Sequence, residues 1–332
     1  MKSLIIVTTL ALAGLAASES RTSAPSGCIT VAKSGGSYST IQAAVDSLST
    51  SDSADQCIFL SPGTYSEQVL ISTRAARLTI YGSTPDTSSH ASNSATITSK
   101  RSQKDGLSND ETATLRVKAA DFRLYNVDVE NAYGEGSQAV ALSADADSGY
   151  YGCQFRGFQD TVLSNKGSQL FARSLVQGAT DFVFGMEAAA WFEKTDVRVL
   201  KTSLGYITAN GRDSSSNPSY YVFNNCDVSA ASGSSVPGGA YYLGRPWREY
   251  ARVVFQNTAL SSVVNAAGWH AWSDSDPRTS GVLFGEYKNS GDGAAAASAR
   301  AEFASALEKP VGIAEVLGSG YRSAGYYDAE YM

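Results

Sequence analysis

From residue 127 onward the chain repeats a three-residue pattern that few folds can use. A small or β-branched residue is followed by any residue and then by a large apolar one. The instances are Val127-Asp128-Val129, Cys153-Gln154-Phe155, Ser174-Leu175-Val176, Thr195-Asp196-Val197, Cys226-Asp227-Val228 and Thr258-Ala259-Leu260. Their first residues are 26, 21, 21, 31 and 32 positions apart. Repeats of 20 to 50 residues are the mark of a stacked array. Helical repeats fit badly, because no helix-length periodic run lies between the instances. Short strands with alternating inward and outward residues fit an all-β solenoid, a single-domain right-handed parallel β-helix. Each coil buries its inward residues against the next, and turns of varied length project outward.

A solenoid exposes raw ends, so caps are expected. Residues 39–48 read as a short helix capped by Ser39 or Thr40, with Ile41, Ala44, Val45 and Leu48 on one face. Residues 298–307 read as a C-terminal capping helix. Cys57–Leu60 and Leu78–Gly82 read as buried strands. Residues 83–113 are polar and read as dominated by loops. No linker divides the chain, so residues 28–332 read as one domain.

Before that domain, Lys2 precedes an apolar run from Leu4 to Ala17 that exits into small residues. This is the pattern of an export signal over residues 1–17, cut somewhere between 16 and 20; a short buried helix is the alternative. The run is too short to span a bilayer, and no later run is longer. A secreted, monomeric protein with no membrane partner is expected. The net charge of −6 argues against nucleic acid as a partner. Four cysteines, Cys28, Cys57, Cys153 and Cys226, allow three pairings, and spacing does not choose among them. With two histidines in 332 residues and no close-spaced Cys or His motif, neither a metal nor a cofactor is expected.

The coil alignment isolates one pair of residues. Asp160 lies seven positions after Cys153, and Asp181 lies seven after Ser174, so the two share a phase one coil apart. Stacked strands lie about 4.8 Å apart. Two carboxylates at that separation repel by roughly 3 to 4 kcal/mol at an effective dielectric near 20. One therefore holds its proton while the other ionises, which separates an acid from a nucleophile or base. The alternative is a pair of ordinary turn aspartates bonded to local backbone. Aromatic neighbours favour chemistry: Phe158 beside Asp160, and Phe182 and Phe184 beside Asp181.

These stretches resemble the pectin methylesterase family, and most of all its secreted fungal members. The matching segments are Gly63-Thr64-Tyr65-Ser66-Glu67, Gln138-Ala139-Val140-Ala141-Leu142, Gly157-Phe158-Gln159-Asp160-Thr161, Asp181-Phe182-Val183-Phe184-Gly185 and Leu243-Gly244-Arg245-Pro246-Trp247, in the family's order. The resemblance implies a right-handed parallel β-helix acting on pectin. It implies that Asp181 is the nucleophile, Asp160 the acid/base, and Gln138 and Gln159 the oxyanion donors. Arg245 would hold the Asp181 carboxylate, and Trp247, with Phe158 and Trp269, would line the substrate cleft. The chain lacks the long pro-region of many plant members and has Phe158 where they often have Tyr. Two other readings stand beside this one: a lyase or polygalacturonase on the same fold, and a non-catalytic carbohydrate-binding β-helix.

Overall fold

The computed structural model describes residues 19–332. The leader expected over residues 1–17 lies outside them. Among the described residues, the strands form three parallel sheets of 11, 7 and 8 strands, and successive coils contribute one strand to each in turn. This is the parallel β-helix that the repeat implies. No helix among the described residues is long and apolar enough to cross a membrane.

The structure gives the repeat its physical cause. Each instance begins one residue after the corner where the chain leaves the 11-stranded sheet for the 8-stranded one. The corner residues are Asn126, Gly152, Arg173, Lys194, Asn225 and Asn257, all with φ between 49° and 59°. That left-handed conformation is uncommon outside glycine, asparagine and aspartate. It is held here because each corner N–H donates to the next coil, as Arg173 does to the Glu193 carbonyl and Lys194 to that of Asn224. The residue after the corner turns inward and is buried in every coil. Little space remains there, and backbone polar groups are near. Hence small hydrogen-bonding side chains are favoured: Ser174 Oγ accepts from the Cys153 N–H at 3.1 Å, and Thr258 Oγ1 from the Cys226 N–H at 3.3 Å. The large apolar residue two positions on reaches the core in all six coils.

A ladder of rings runs through the core. Tyr150, Phe171, Phe192, Phe223 and Phe255 occupy the same register position on successive strands. Their centroids are spaced 4.7, 4.5, 4.3 and 4.3 Å apart. Phe192 lies in the middle, fully buried between two rings. Replacing it with alanine is expected to lower unfolding free energy by about 3 to 5 kcal/mol. Denaturant unfolding checks this; a loss below about 1 kcal/mol would mean that the ladder relaxes around the gap.

The N-terminal cap forms as expected. The helix Ile41–Ser47 is capped by Thr40 and sends Ile41, Ala44 and Val45 into the core. Glu67 adds a second cap, its two carboxylate oxygens accepting from the N–H groups of Ile41 and Gln42 at 2.9 Å each. The segment Gly63–Glu67 therefore serves the fold. The expected C-terminal helix over 298–307 does not form. Only Ala297–Ala299 makes a 3₁₀ turn, while Ala304–Ala306 is a strand paired with Phe284–Glu286. Strand pairing with the last full coil, and packing of Ala301 and Phe303 on the core, override the helical propensity of the alanines. A helix does occur later, at Ile313–Leu317, and lies on the flank. Its Val316 and Leu317, with Tyr321, Tyr326 and Tyr331, cover the outer face of the 11-stranded sheet at Tyr151, Trp191 and Tyr220. Residues 83–113 hold more structure than expected: a strand at Ala95–Ser99, a 3₁₀ turn at Gln103–Asp105 and a helix at Asn109–Thr112.

Of the three possible cysteine pairings, the structure forms Cys28–Cys57 and leaves Cys153 and Cys226 as buried thiols. The pairing follows from register, since Ile29 lies opposite Ile58. Burial pushes the Cys153 thiol up to about 12, so it packs as a small apolar side chain.

Candidate active site

The site is built on the outer face of the seven-stranded sheet. Gln159 bridges Thr180, and Val162 pairs with Val183, so Asp160 lies beside Asp181 as the 21-residue spacing requires. The Asp160 N–H donates to the Thr180 carbonyl at 3.0 Å, which fixes that register locally. Both aspartates have positive φ, 63° and 50°. Asp181 also sits in a bulge. Thr180 pairs with Tyr206 and Val183 with Thr208, so three steps on the catalytic strand face two on its neighbour. Such a bulge re-aims a side chain. Here it leaves both Phe182 and Val183 in the core while Asp181 faces the cleft. Gly185 ends the segment at φ 147°, where a Cβ would stand 1.9 Å from the Ser164 carbonyl oxygen.

Two coils further on, Arg245 meets Asp181 fork to fork. Its Nε donates to Oδ1 at 2.9 Å and its Nη2 to Oδ2 at 2.6 Å. Asp160 has a neutral partner instead, the side chain of Asn109. Asn109 accepts from Gln103 Nε2 at 2.8 Å through its carbonyl, leaving its NH₂ for the carboxyl. Asp160 and Asp181 are each 7% exposed. Burial pushes both carboxyls upward. At Asp160 the negative neighbour Asp181 pushes further, to well above the usual carboxylate range. At Asp181 the Arg245 guanidinium opposes the burial but does not cancel it, so its carboxyl too lies above the ordinary value rather than below it. Asp181 ionises first, because it alone is paired with a cation.

These groups open on a cleft of about 280 Å³ lined by Gln103, Asn109, Gln138, Gln159, Asp160, Asp181, Phe184, Ala209, Trp247 and Trp272. Phe184 and Ala209 form its apolar floor, with Leu163 and Val140 packed against them in one buried cluster. Gln138 and Gln159 line the same space as the two aspartates. The hydrogen bonds of these two glutamines run through their backbone carbonyls, which accept from the N–H groups of Gln103 and Ala139.

Six of the eight residues singled out from the sequence therefore converge: Asp160, Asp181, Gln138, Gln159, Arg245 and Trp247. Two do not. Phe158 is half-buried and lies outside the cleft lining. Trp269 is a correction: it is 1% exposed, stacks on Phe284 with centroids 4.4 Å apart, and donates from Nε1 to Glu286. It bridges Gly244 on the edge of the catalytic sheet, and from there its side chain enters the core. Trp272, three residues later, is the second tryptophan of the cleft. The Arg245 guanidinium lies over its ring at 4.4 Å and over Tyr206 at 4.0 Å. Asn109 and Tyr206 also escaped the sequence reading. Ser108 to Glu111 is a legible capping box that would have placed Asn109 on a helix start, though not in the site.

The arrangement presents a cation-held carboxylate, a carboxyl whose burial and negative neighbour favour its protonated form, and two glutamines beside an apolar floor. It suits nucleophilic attack on a polarised carbonyl with proton delivery to the leaving oxygen.

Comparison with known proteins points the same way. The sequence matches the pectinesterase family model over residues 28–309. It is 49% identical over 336 residues to a pectinesterase of Aspergillus aculeatus, covering 100% of both chains. It is 47% identical to a pectinesterase of Aspergillus niger over 98% of each. The fold superposes on the crystal structure of the pectin methylesterase from Aspergillus niger with a TM-score of 0.87 and 44% identity, covering 94% of this chain and 100% of that one. The pectin methylesterase from carrot superposes with a TM-score of 0.79 at 26% identity, covering 92% and 98%.

Proposed function

The chain belongs to the pectinesterase family, and from that membership we propose how its cleft hydrolyses the C6 methyl esters of homogalacturonan to pectate and methanol. Ionised Asp181 attacks the ester carbonyl carbon, and the carbonyl oxygen takes the negative charge. The Gln138 and Gln159 amides donate hydrogen bonds to that oxygen. The bond to the methoxy oxygen breaks, and Asp160 gives its proton to leaving methanol. The acyl group is then an anhydride with Asp181. Asp160, now ionised, takes a proton from water, whose oxygen attacks the acyl carbon and frees Asp181. Trp247 offers a ring face to the sugars, and Trp272 lines the cleft beside it. The observation that carries this reading is the asymmetry of the pair: one buried carboxyl gripped fork to fork by a guanidinium, its neighbour hydrogen-bonded to an amide and reached by that guanidinium only through space.

The rest of the reading follows from the sequence. A leader over residues 1–17 directs the protein out of the cell, and residues 28–332 form one monomeric catalytic domain. Methanol release from esterified pectin without shortening of the chain tests the activity. A lyase or polygalacturonase would cut the chain, and a binding module would do neither.

The profile of kcat/KM against pH is expected to be bell-shaped. It rises as Asp181 ionises and falls as Asp160 loses its proton. Because burial raises both, the acidic limb lies above the ordinary aspartate value of about 3.9. A limb at or below that value, or no alkaline fall, would contradict the assignment.

A further inference from the structure

We infer that Arg278 is a positioning residue for this reaction: it holds the Trp272 indole against Arg245 and so keeps the guanidinium of Arg245 aimed at Asp181. The inference rests on the reading of Asp181 and Arg245 given above and adds a residue outside the catalytic cleft to it.

Four observations support it. First, the Arg278 guanidinium lies over the Trp272 ring at 4.8 Å, and Arg245 lies over the same ring at 4.4 Å. Two cations thus grip one indole, and Tyr206 closes the other side of Arg245 at 4.0 Å. Second, Arg278 Nη1 donates to the Trp247 carbonyl at 2.5 Å. One side chain therefore ties the turn carrying Trp272 to the strand end that carries Arg245, Pro246 and Trp247. Third, Arg278 has φ 55°, a left-handed conformation that is unfavourable for a side chain of its size. Its contacts hold it there. Fourth, the turn is closed behind Trp272 by its own N–H donating to the Pro277 carbonyl at 3.1 Å, so Arg278 and Trp272 are presented together.

The bidentate pair fixes the plane of the guanidinium against the carboxylate, but the long arginine stem still carries rotamer freedom. The stack removes that freedom. With Arg278 gone, Trp272 loses one of its two cations, Arg245 loses a fixed wall, and the fork on Asp181 loosens. The Asp181 carboxylate is then less favoured, and the acidic limb of the pH profile moves up. The charged groups facing Asp181 are Arg245 and Asp160, with the Tyr206 hydroxyl nearby. Those around Arg278 are Asp276, whose Oδ2 accepts from its Nε at 2.7 Å, and Asp213, Arg248 and Glu249, which share its surface cleft.

The test is the profile of kcat/KM against pH for the full chain, its Arg278→Gln and Arg278→Lys variants, Trp272→Leu, and Trp272→Leu combined with Arg278→Gln. Melting temperatures are recorded for each. Both Arg278 variants are expected to shift the acidic limb up by about half a pH unit, with roughly a two- to fivefold fall in kcat/KM below it, the scale of one partly exposed cation–π contact. Lysine keeps the charge but not the flat guanidinium. In the Trp272→Leu background, Arg278→Gln is expected to add no further shift. Three results would overturn the inference: an unmoved limb in both variants, a lysine variant that matches the parent, or an equal shift with leucine at 272, which would mean that charge acts through space. If Arg278→Gln does not fold, the lysine variant decides alone: a raised limb supports the inference and an unmoved one overturns it. Asp181→Asn in the same series separates the failures. Its inactivity, together with an unmoved limb in the Arg278 variants, sinks the role of Arg278 alone, whereas its full activity sinks the underlying reading.

Discussion

Asp181→Asn is expected to reduce methanol release by roughly 10⁴-fold or more while the fold persists. The amide is nearly the same size as the carboxylate but has no nucleophilic oxygen to form the acyl intermediate. Asparagine also tolerates the left-handed backbone that Asp181 adopts at φ 50°, so no new strain is introduced. What is lost structurally is the ion pair with Arg245. The guanidinium keeps its seat between Tyr206 and Trp272, which limits the cost. Methanol assays and thermal unfolding on the same preparation check this. A folded variant within tenfold of the parent rate would place the nucleophile elsewhere.

Asp160→Asn is expected to cost about 10²- to 10⁴-fold, the range for losing a positioned general acid. It is also expected to abolish the alkaline limb of the pH profile, since no proton remains to be lost there. Stability should respond in the opposite sense. The folded pKa of Asp160 is raised, so its contribution to stability is fully present below the unfolded value of about 3.9 and is lost as pH rises through the folded value. Asparagine is never ionised and escapes that loss. The variant should therefore hold its melting temperature better than the parent as pH rises above the ordinary aspartate value of about 3.9. A variant that keeps its alkaline limb, or that loses stability with pH as the parent does, would show that another group is the acid.

Much of this was legible in the sequence because the repeat has a local cause. A left-handed corner forces a buried small residue after it and a core residue two further on, and those constraints leave a mark in every coil. The phase of Asp160 and Asp181 follows from the same corners, so the pair was readable before any coordinates. Thr40 was readable because an N-cap needs only its own helix. What escaped depended on distant contacts. Ala-rich residues 298–307 favour a helix in isolation, but a neighbouring strand edge claims Ala304–Ala306. Trp269 and Trp272 carry no local signal to separate them. Only pairing of residue 269 with Gly244 sends the first inward and leaves the second for the cleft. Asn109 reaches Asp160 across 51 residues of chain, from a segment whose polar composition suggests only loop. Cys28 finds Cys57 through strand register, which the spacing of four cysteines does not contain.

The corners also bear on how such a protein can diversify. Each one restarts the phase of its coil, so residues inserted between one corner and the next change what projects without disturbing the strands above and below. The two coils of 21 residues carry the two aspartates, the 32-residue coil that starts at Cys226 supplies Arg245 and Trp247, and Trp272 follows in the coil that starts at Thr258. The two carboxyls thus sit on the stretch of chain least free to change, and the tryptophans that meet the polymer sit on longer stretches. Exchanging the longer loops between relatives should therefore alter which stretches of pectin are accepted before it alters the reaction performed on them.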